Sequence, residues 1–274
     1  MGVPTVRLPT RYFGPRWFGR AYARMARGDP HSLGSIDREL QRVSIGLDSG
    51  SAEYLYTRYS STKGSYVAGS RPVLEAITRG IVPSRRTSEG IVRAIARFVS
   101  TLQTDAPRDH DSLAFGGTEE EIIARGSDFC TDVNRVACAL FQVAGLPSRI
   151  VFLVDTHKAY SGHVIVEVYR HNSWGAVDGL TNVVYLGPDG RPATTWDLMS
   201  HPAWIARHYR GRSTFFTRRG QFRAAAVVNY RLGRKDDHDY SVSPVNSYYR
   251  SILTLSDRGW PGGIRWLHGE GDAS

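Results

Sequence analysis

The sequence predicts an α+β fold in which N-terminal helices, one of them opening on a cysteine, pack on an antiparallel sheet. Three observations predict it. Apolar residues recur at helical spacing in three successive segments: Val73, Leu74, Ile77 and Ile81, then Ile91, Ile95, Phe98 and Leu102, then Val133, Ala137, Leu140, Phe141 and Ala144. From His163 to Tyr169 the pattern changes to alternation, with His163, Ile165, Glu167 and Tyr169 set against Val164, Val166 and Val168, which is the period of a half-buried strand. After the third helix the order is strand, strand, strand, and a short turn at Asn172-Ser173 makes the last two an antiparallel hairpin.

The elements follow in chain order. Residues 1–30 carry Tyr12, Phe13, Trp17, Phe18 and Tyr22, too many aromatics for a solvated tail, so part of this arm is expected to pack on the body, with a short helix around 16–27. Ser35 is placed to cap a helix carrying Ile36, Leu40 and Val43, with Asp37 and Glu39 in its first turn. Gly46, Gly50, Gly64 and Gly69 then break up a stretch rich in serine and tyrosine. Pro72 suits a helix start and Pro83 ends that helix; Ser88 precedes the next. The polar stretch from Thr104 to Gly117 reads as a surface loop or a flap.

Gly126-Ser127-Asp128-Phe129-Cys130 leads into the third helix, with Ser127 or Asp128 as its cap, and Gly145 and Pro147 stop it. Arg149 to Val154 is a short apolar strand, and Trp174 to Val177 leads into Asp178 as another. Leu186 to Gly190 is a turn, residues 195–209 form one or two short helices, and Phe222 to Tyr230 forms a strand. No internal repeat is present. The expected organisation is an N-terminal arm and elaboration over 1–70, a core over 71–190, and a C-terminal elaboration over 191–274 that completes or covers it.

Apolar residues make up 41% of 274, enough for a sizeable core, and charged residues make up 22%. The formal charge of +9 is nearly all arginine excess, and guanidinium groups bind phosphates and carboxylates. A nucleic-acid role is disfavoured, because there is no recognition helix, zinc-finger spacing or aromatic–basic RNA motif. Arg7, Arg11, Arg16, Arg20, Arg24 and Arg27 interrupt the first thirty residues, against a secretory signal or a membrane span. Two cysteines do not make a disulfide framework. These features predict a cytoplasmic protein.

Cys130 falls in the first turn of a helix, where unpaired backbone donors and the positive dipole end favour an anion. A thiol with the ordinary pKa of about 8.5 needs such help to become a nucleophile. Cys138, two turns on, lies in Val136-Ala137-Cys138-Ala139-Leu140, the setting of an inert core thiol. His163 opens the alternating strand, and the hairpin sets it opposite Asp178 or its immediate neighbour. Cysteine, histidine and aspartate so placed form a nucleophile, a general acid/base and its orienter for chemistry at an acyl or amide carbon. The competing reading is that His163 merely caps a strand and the three are unrelated. A metal site of Cys130, Cys138, His157 and His163 lacks a close ligand pair. The backbone N–H of Cys130 is the first oxyanion donor, and Gln103, Trp17 and Ser127 are candidates for a second. Asp155, Thr156 and His157 form a polar turn beside the cleft.

Four blocks carry a family resemblance: Gly126-Ser127-Asp128-Phe129-Cys130, Phe141 to Arg149 with its Gly145-Leu146-Pro147-Ser148-Arg149, Gly162-His163 running to Glu167-Val168, and Trp174-Gly175-Ala176-Val177-Asp178. Together they resemble the transglutaminase-like superfamily over roughly residues 88–186. The chain departs from the pattern where Val164 and Ile165 replace a common alanine and tryptophan, and where Gly179 replaces a proline often found after the aspartate. The resemblance implies a papain/transglutaminase-like core with Cys130 as nucleophile, His163 as acid/base, Asp178 as orienter and Leu146 to Arg149 as structural residues. It implies no cofactor and no metal. The substrates it implies are a peptide, a small-molecule amide or a carrier-bound acyl group, which the arginine excess suggests is anionic. Amide hydrolysis and amide formation in biosynthesis both fit, and the alternative is a noncatalytic interaction module using its arginine-rich surface.

Overall fold

The computed structural model describes residues 16, 19, 20, 22, 44–57, 63–82, 87–105, 113–155, 160–208, 225–228, 230 and 232. The helix expected from Ser35, the segment after Tyr240 and most of the arginine-rich arm lie outside the described residues. The described helices are α1 (Ser49–Leu55), α2 (Pro72–Ile81), α3 (Ser88–Ser100), α4 (Glu119–Arg125), α5 (Cys130–Val143), α6 (Thr195–Ser200) and α7 (Pro202–His208). The strands are β1 (Ile45–Gly46), β2 (Ser148–Asp155), β3 (Tyr160–Arg170), β4 (Ser173–Asp178), β5 (Val183–Val184) and β6 (Ala225–Val228). The fold is α+β, as predicted, with one antiparallel sheet in the order β1-β6-β2-β3-β4-β5.

Sequence chemistry explains the helix starts. Pro72 occupies the first turn of α2, where its missing N–H costs nothing. Thr87 caps α3 by accepting from the Gly90 N–H. Two helices that the apolar spacing does not announce, α1 and α4, open on reciprocal capping boxes, Asp48 with Ser51 and Thr118 with Glu121.

The sheet alternation sorts side chains into two cores. Ile150, Phe152, Val164, Val166, Val168 and Val177 pack under α2, α3, α4 and α5. Val151, Leu153, Ile165, Ala176 and Val227 pack on the other face with Leu55 of α1, Leu198 of α6 and Ile205 of α7. The strand expected to be half-buried is therefore covered on both faces. Glu167, a polar member of the alternation, is fully buried and paired with Arg149.

Helix α5 is the central element of the first core, and its residues from Thr131 to Gln142 are all buried. At its middle, Cys138 lies 3.3 Å from the Ser148 hydroxyl, and burial pushes its thiol up to about 12. Cys138→Ala is expected to cost about 1 kcal/mol of stability while leaving the reactivity of Cys130 unchanged, as chemical unfolding and thiol labelling would check. No helix among the described residues is long and apolar enough to cross a membrane.

Candidate active site

The site is built at the start of α5. Neither Ser127 nor Asp128 caps that helix. The N-cap is Phe129, in extended backbone conformation, with no side-chain cap bond. The Ser127 hydroxyl instead donates to Asp132 Oδ2 at 3.0 Å and accepts the Phe129 N–H at 3.2 Å. Asp132, in the first turn of α5, also takes the Gly116 N–H at 2.9 Å and Arg125 at 2.8 Å. The loop leading to Cys130 is thus tied back onto the helix it precedes. The helix start is left without a side-chain cap over its first amides. The Phe129 ring packs against Phe115 and Tyr22, at centroid distances of 4.3 and 5.7 Å, so Tyr22 reaches this corner of the body. Cys130 is partly exposed, in contrast to the buried residues that follow it.

His163 and Asp178 meet beside it. The ring Nε2 and the Asp178 Oδ2 are 2.9 Å apart, and both side chains are at most 2% exposed. Asp178 is held from its own turn: its Oδ1 accepts the Leu180 N–H at 3.0 Å and its Oδ2 accepts the Thr181 hydroxyl at 2.8 Å. Burial works against the imidazolium, but the Asp178 charge and hydrogen bond, with the nearby Cys130 as a smaller influence, push His163 up to about 10. Burial likewise works against the Asp178 carboxylate, and the His163 charge and the Thr181 bonds hold it below the ordinary range. With Nε2 facing Asp178, Nδ1 is the ring nitrogen available to Cys130.

The route by which His163 and Asp178 meet differs from the one predicted. The hairpin turn is His171-Asn172, with φ of 51° and 61°, and Ser173 is already in the strand, paired with Arg170. Pairing between β3 and β4 ends at Val166 and Val177, short of His163. The two side chains are therefore not cross-strand partners but meet where the strands separate.

Sequence reasoning missed Asn134, which fills that gap. Fully buried and one turn into α5, its Nδ2 donates to the Val164 carbonyl at 2.8 Å and to the Cys130 carbonyl at 3.1 Å, and its Oδ1 accepts the Gly179 N–H at 2.8 Å. Its partners on the strands lie 30 and 45 residues away in sequence, so no local pattern signals it.

Of the three residues considered for a second oxyanion donor, Ser127 is committed to Asp132, Gln103 bonds Asp128, and Trp17 lies outside the described residues. Thr156 and His157 also lie outside them. Among the described residues, no group of three or more His, Cys, Asp or Glu is placed to hold a metal ion. Burial and the nearby Asp105 raise Asp128, so the described charge at the start of α5 includes two neighbouring carboxylates.

The family model of the transglutaminase-like superfamily matches residues 75–179, from within α2 to the residue after Asp178. That stretch is a transglutaminase-like core domain containing Cys130, His163, Asp178 and the Leu146 to Arg149 segment. No curated protein and no solved structure matches the chain.

Proposed function

We propose, on this transglutaminase-like core, that the chain is a cysteine-dependent acyl-transfer enzyme acting on an amide, ester or thioester. The observation that carries the reading is the buried Nε2–Oδ2 bond between His163 and Asp178, with Cys130 close enough to influence the ring's charge. The Cys130 thiolate attacks the carbonyl carbon, and the new C–S bond gives a tetrahedral oxyanion. The backbone N–H of Cys130, at a helix start without a side-chain cap, is its natural donor. Collapse breaks the bond to the leaving group, which takes the proton from His163 Nδ1, leaving a thioester on Cys130. Water or an amine then attacks the thioester carbon and gives its proton to His163, and the thiolate departs. Water yields hydrolysis, and an amine yields a new amide.

Asp178 keeps its proton off throughout; it orients the ring and stabilises its positive charge. Asp128 and Asp105 make the described rim of the helix start acidic, which favours a cationic or amine-bearing acceptor over the anionic substrate suggested by the net charge.

Peptide mass mapping of iodoacetamide labelling from pH 5 to 9, in wild type and in His163→Ala, tests the reading. Rapid labelling of Cys130 at pH 6, lost in the variant, is the expected result. A screen of acyl donors with water and amines as competing acceptors then separates hydrolase from transferase. Slow labelling of both cysteines, rising only near the ordinary thiol pKa, would instead favour a noncatalytic module.

A further inference from the structure

We infer that Asn134 is a positioning residue: one buried amide fixes the nucleophile helix to the two strand ends that carry His163 and Asp178, and so sets the approach of Cys130 to the imidazole. The inference rests on the acyl-transfer reading above.

The bonding pattern points to this role. Val164 follows His163, Gly179 follows Asp178, and the third partner is the carbonyl of Cys130 itself. One side chain therefore bonds beside each of the three reacting positions. The amide orientation is fixed by its partners, since the Gly179 N–H can only donate and the Val164 carbonyl can only accept. Where β3 and β4 part, after Val166 and Val177, the ladder pairing ends, and Asn134 adds a backbone link beside the His163–Asp178 bond. Asparagine is a poor residue for a helix interior, so its presence within α5 reflects these bonds rather than helix propensity.

Gly179 completes the device. A Cβ there would lie 3.1 Å from Asn134 Oδ1 and 2.8 Å from Val99 Cγ2, so the close approach depends on glycine. The proline often found at this place in the resembling superfamily would have no N–H to offer Asn134. Asn134 and Gly179 thus form a matched pair, and the departure at Gly179 acquires a physical reason.

A buried amide that merely filled space would affect stability alone. A positioning amide would also affect how His163 controls Cys130, because a displacement of about 1 Å in a reacting pair costs on the order of 10²-fold in rate. The test compares iodoacetamide labelling of Cys130 from pH 5 to 9 in wild type, His163→Ala, Asn134→Ala, Gly179→Ala and Val151→Ala. Val151 lies in the core on the opposite sheet face and serves as a control for lost stability.

The expected result is slower labelling at pH 6 in Asn134→Ala, by roughly 10–100-fold, with a profile approaching that of His163→Ala, while Val151→Ala keeps the wild-type profile. Gly179→Ala is expected to shift the profile in the same direction, and it carries the test alone should Asn134→Ala fail to fold. A wild-type profile in either folded variant overturns the positioning role. Slow wild-type labelling that ignores His163→Ala overturns the acyl-transfer reading and this one with it.

Discussion

Asp178→Ala is expected to slow acylation of Cys130 by about 10⁴-fold, the scale seen when an orienting carboxylate is removed from an acyl-transfer triad. In the native site burial is the largest influence on His163 and opposes its charge, and the Asp178 carboxylate is the largest influence in its favour. Without that carboxylate the ring stays buried and the imidazolium loses its main support. The neutral imidazole then cannot hold the positive charge that accompanies the thiolate, nor protonate a leaving group near neutral pH. Acylation by p-nitrophenyl acetate, followed as bound acetyl on Cys130, measures the loss. Asp178→Asn separates charge from shape, because it preserves size while removing the anion. Rates within a few-fold of wild type in both variants would sink the assignment of Asp178 as orienter.

The same pair sets a pH window for stability. His163 is raised in the folded state, so its contribution is complete below the unfolded value of 6.5 and fades as pH rises toward about 10. Asp178 is lowered, so its contribution is complete above 3.8 and fades as pH falls through its folded value. The pair therefore supports the fold most fully between these two unfolded values.

Much of this arrangement was legible because it is local. The alternation of Val164, Val166 and Val168 identifies a strand, and the apolar spacing along α5 places Cys130 at a helix start. What was not legible depends on distant partners or on backbone geometry. The turn at His171-Asn172 needs two successive left-handed residues, and histidine gives little warning of that. Alternation reads as a half-buried strand, but Arg149, Tyr56 and the Thr195 N–H, all distant in sequence, give Glu167 buried partners. Ser127 has the chemistry of a cap, yet its hydroxyl serves Asp132 and leaves Phe129 at the cap position. The T-x-x-E spacing of Thr118 and Glu121 was, by contrast, a readable start signal for α4.

The Gly145-Leu146-Pro147-Ser148-Arg149 segment leads to the largest expected effect on stability. Arg149 and Glu167 are both fully buried, with guanidinium-to-carboxylate distances of 2.7 and 2.8 Å. The guanidinium also donates to the Leu55 carbonyl at 2.7 Å and lies 3.8 Å from the centre of the Trp174 ring. One side chain thereby joins β2, β3, β4 and α1, which explains why tryptophan, arginine and glutamate occur together in this core. Arg149→Ala strands a buried carboxylate that, among the described residues, keeps the Tyr56 hydroxyl and the Thr195 N–H as donors. Breaking a buried pair from one side costs about 3–5 kcal/mol, a large share of the roughly 5–15 kcal/mol that stabilises a typical native protein. Arg149→Met combined with Glu167→Leu removes both charges and keeps apolar volume, so it is expected to recover much of that loss. Urea unfolding of the two single variants and the double variant checks the cycle. Single variants that each cost less than about 1 kcal/mol would place this pair with exposed ion pairs and remove it as the tie between the sheet and α1.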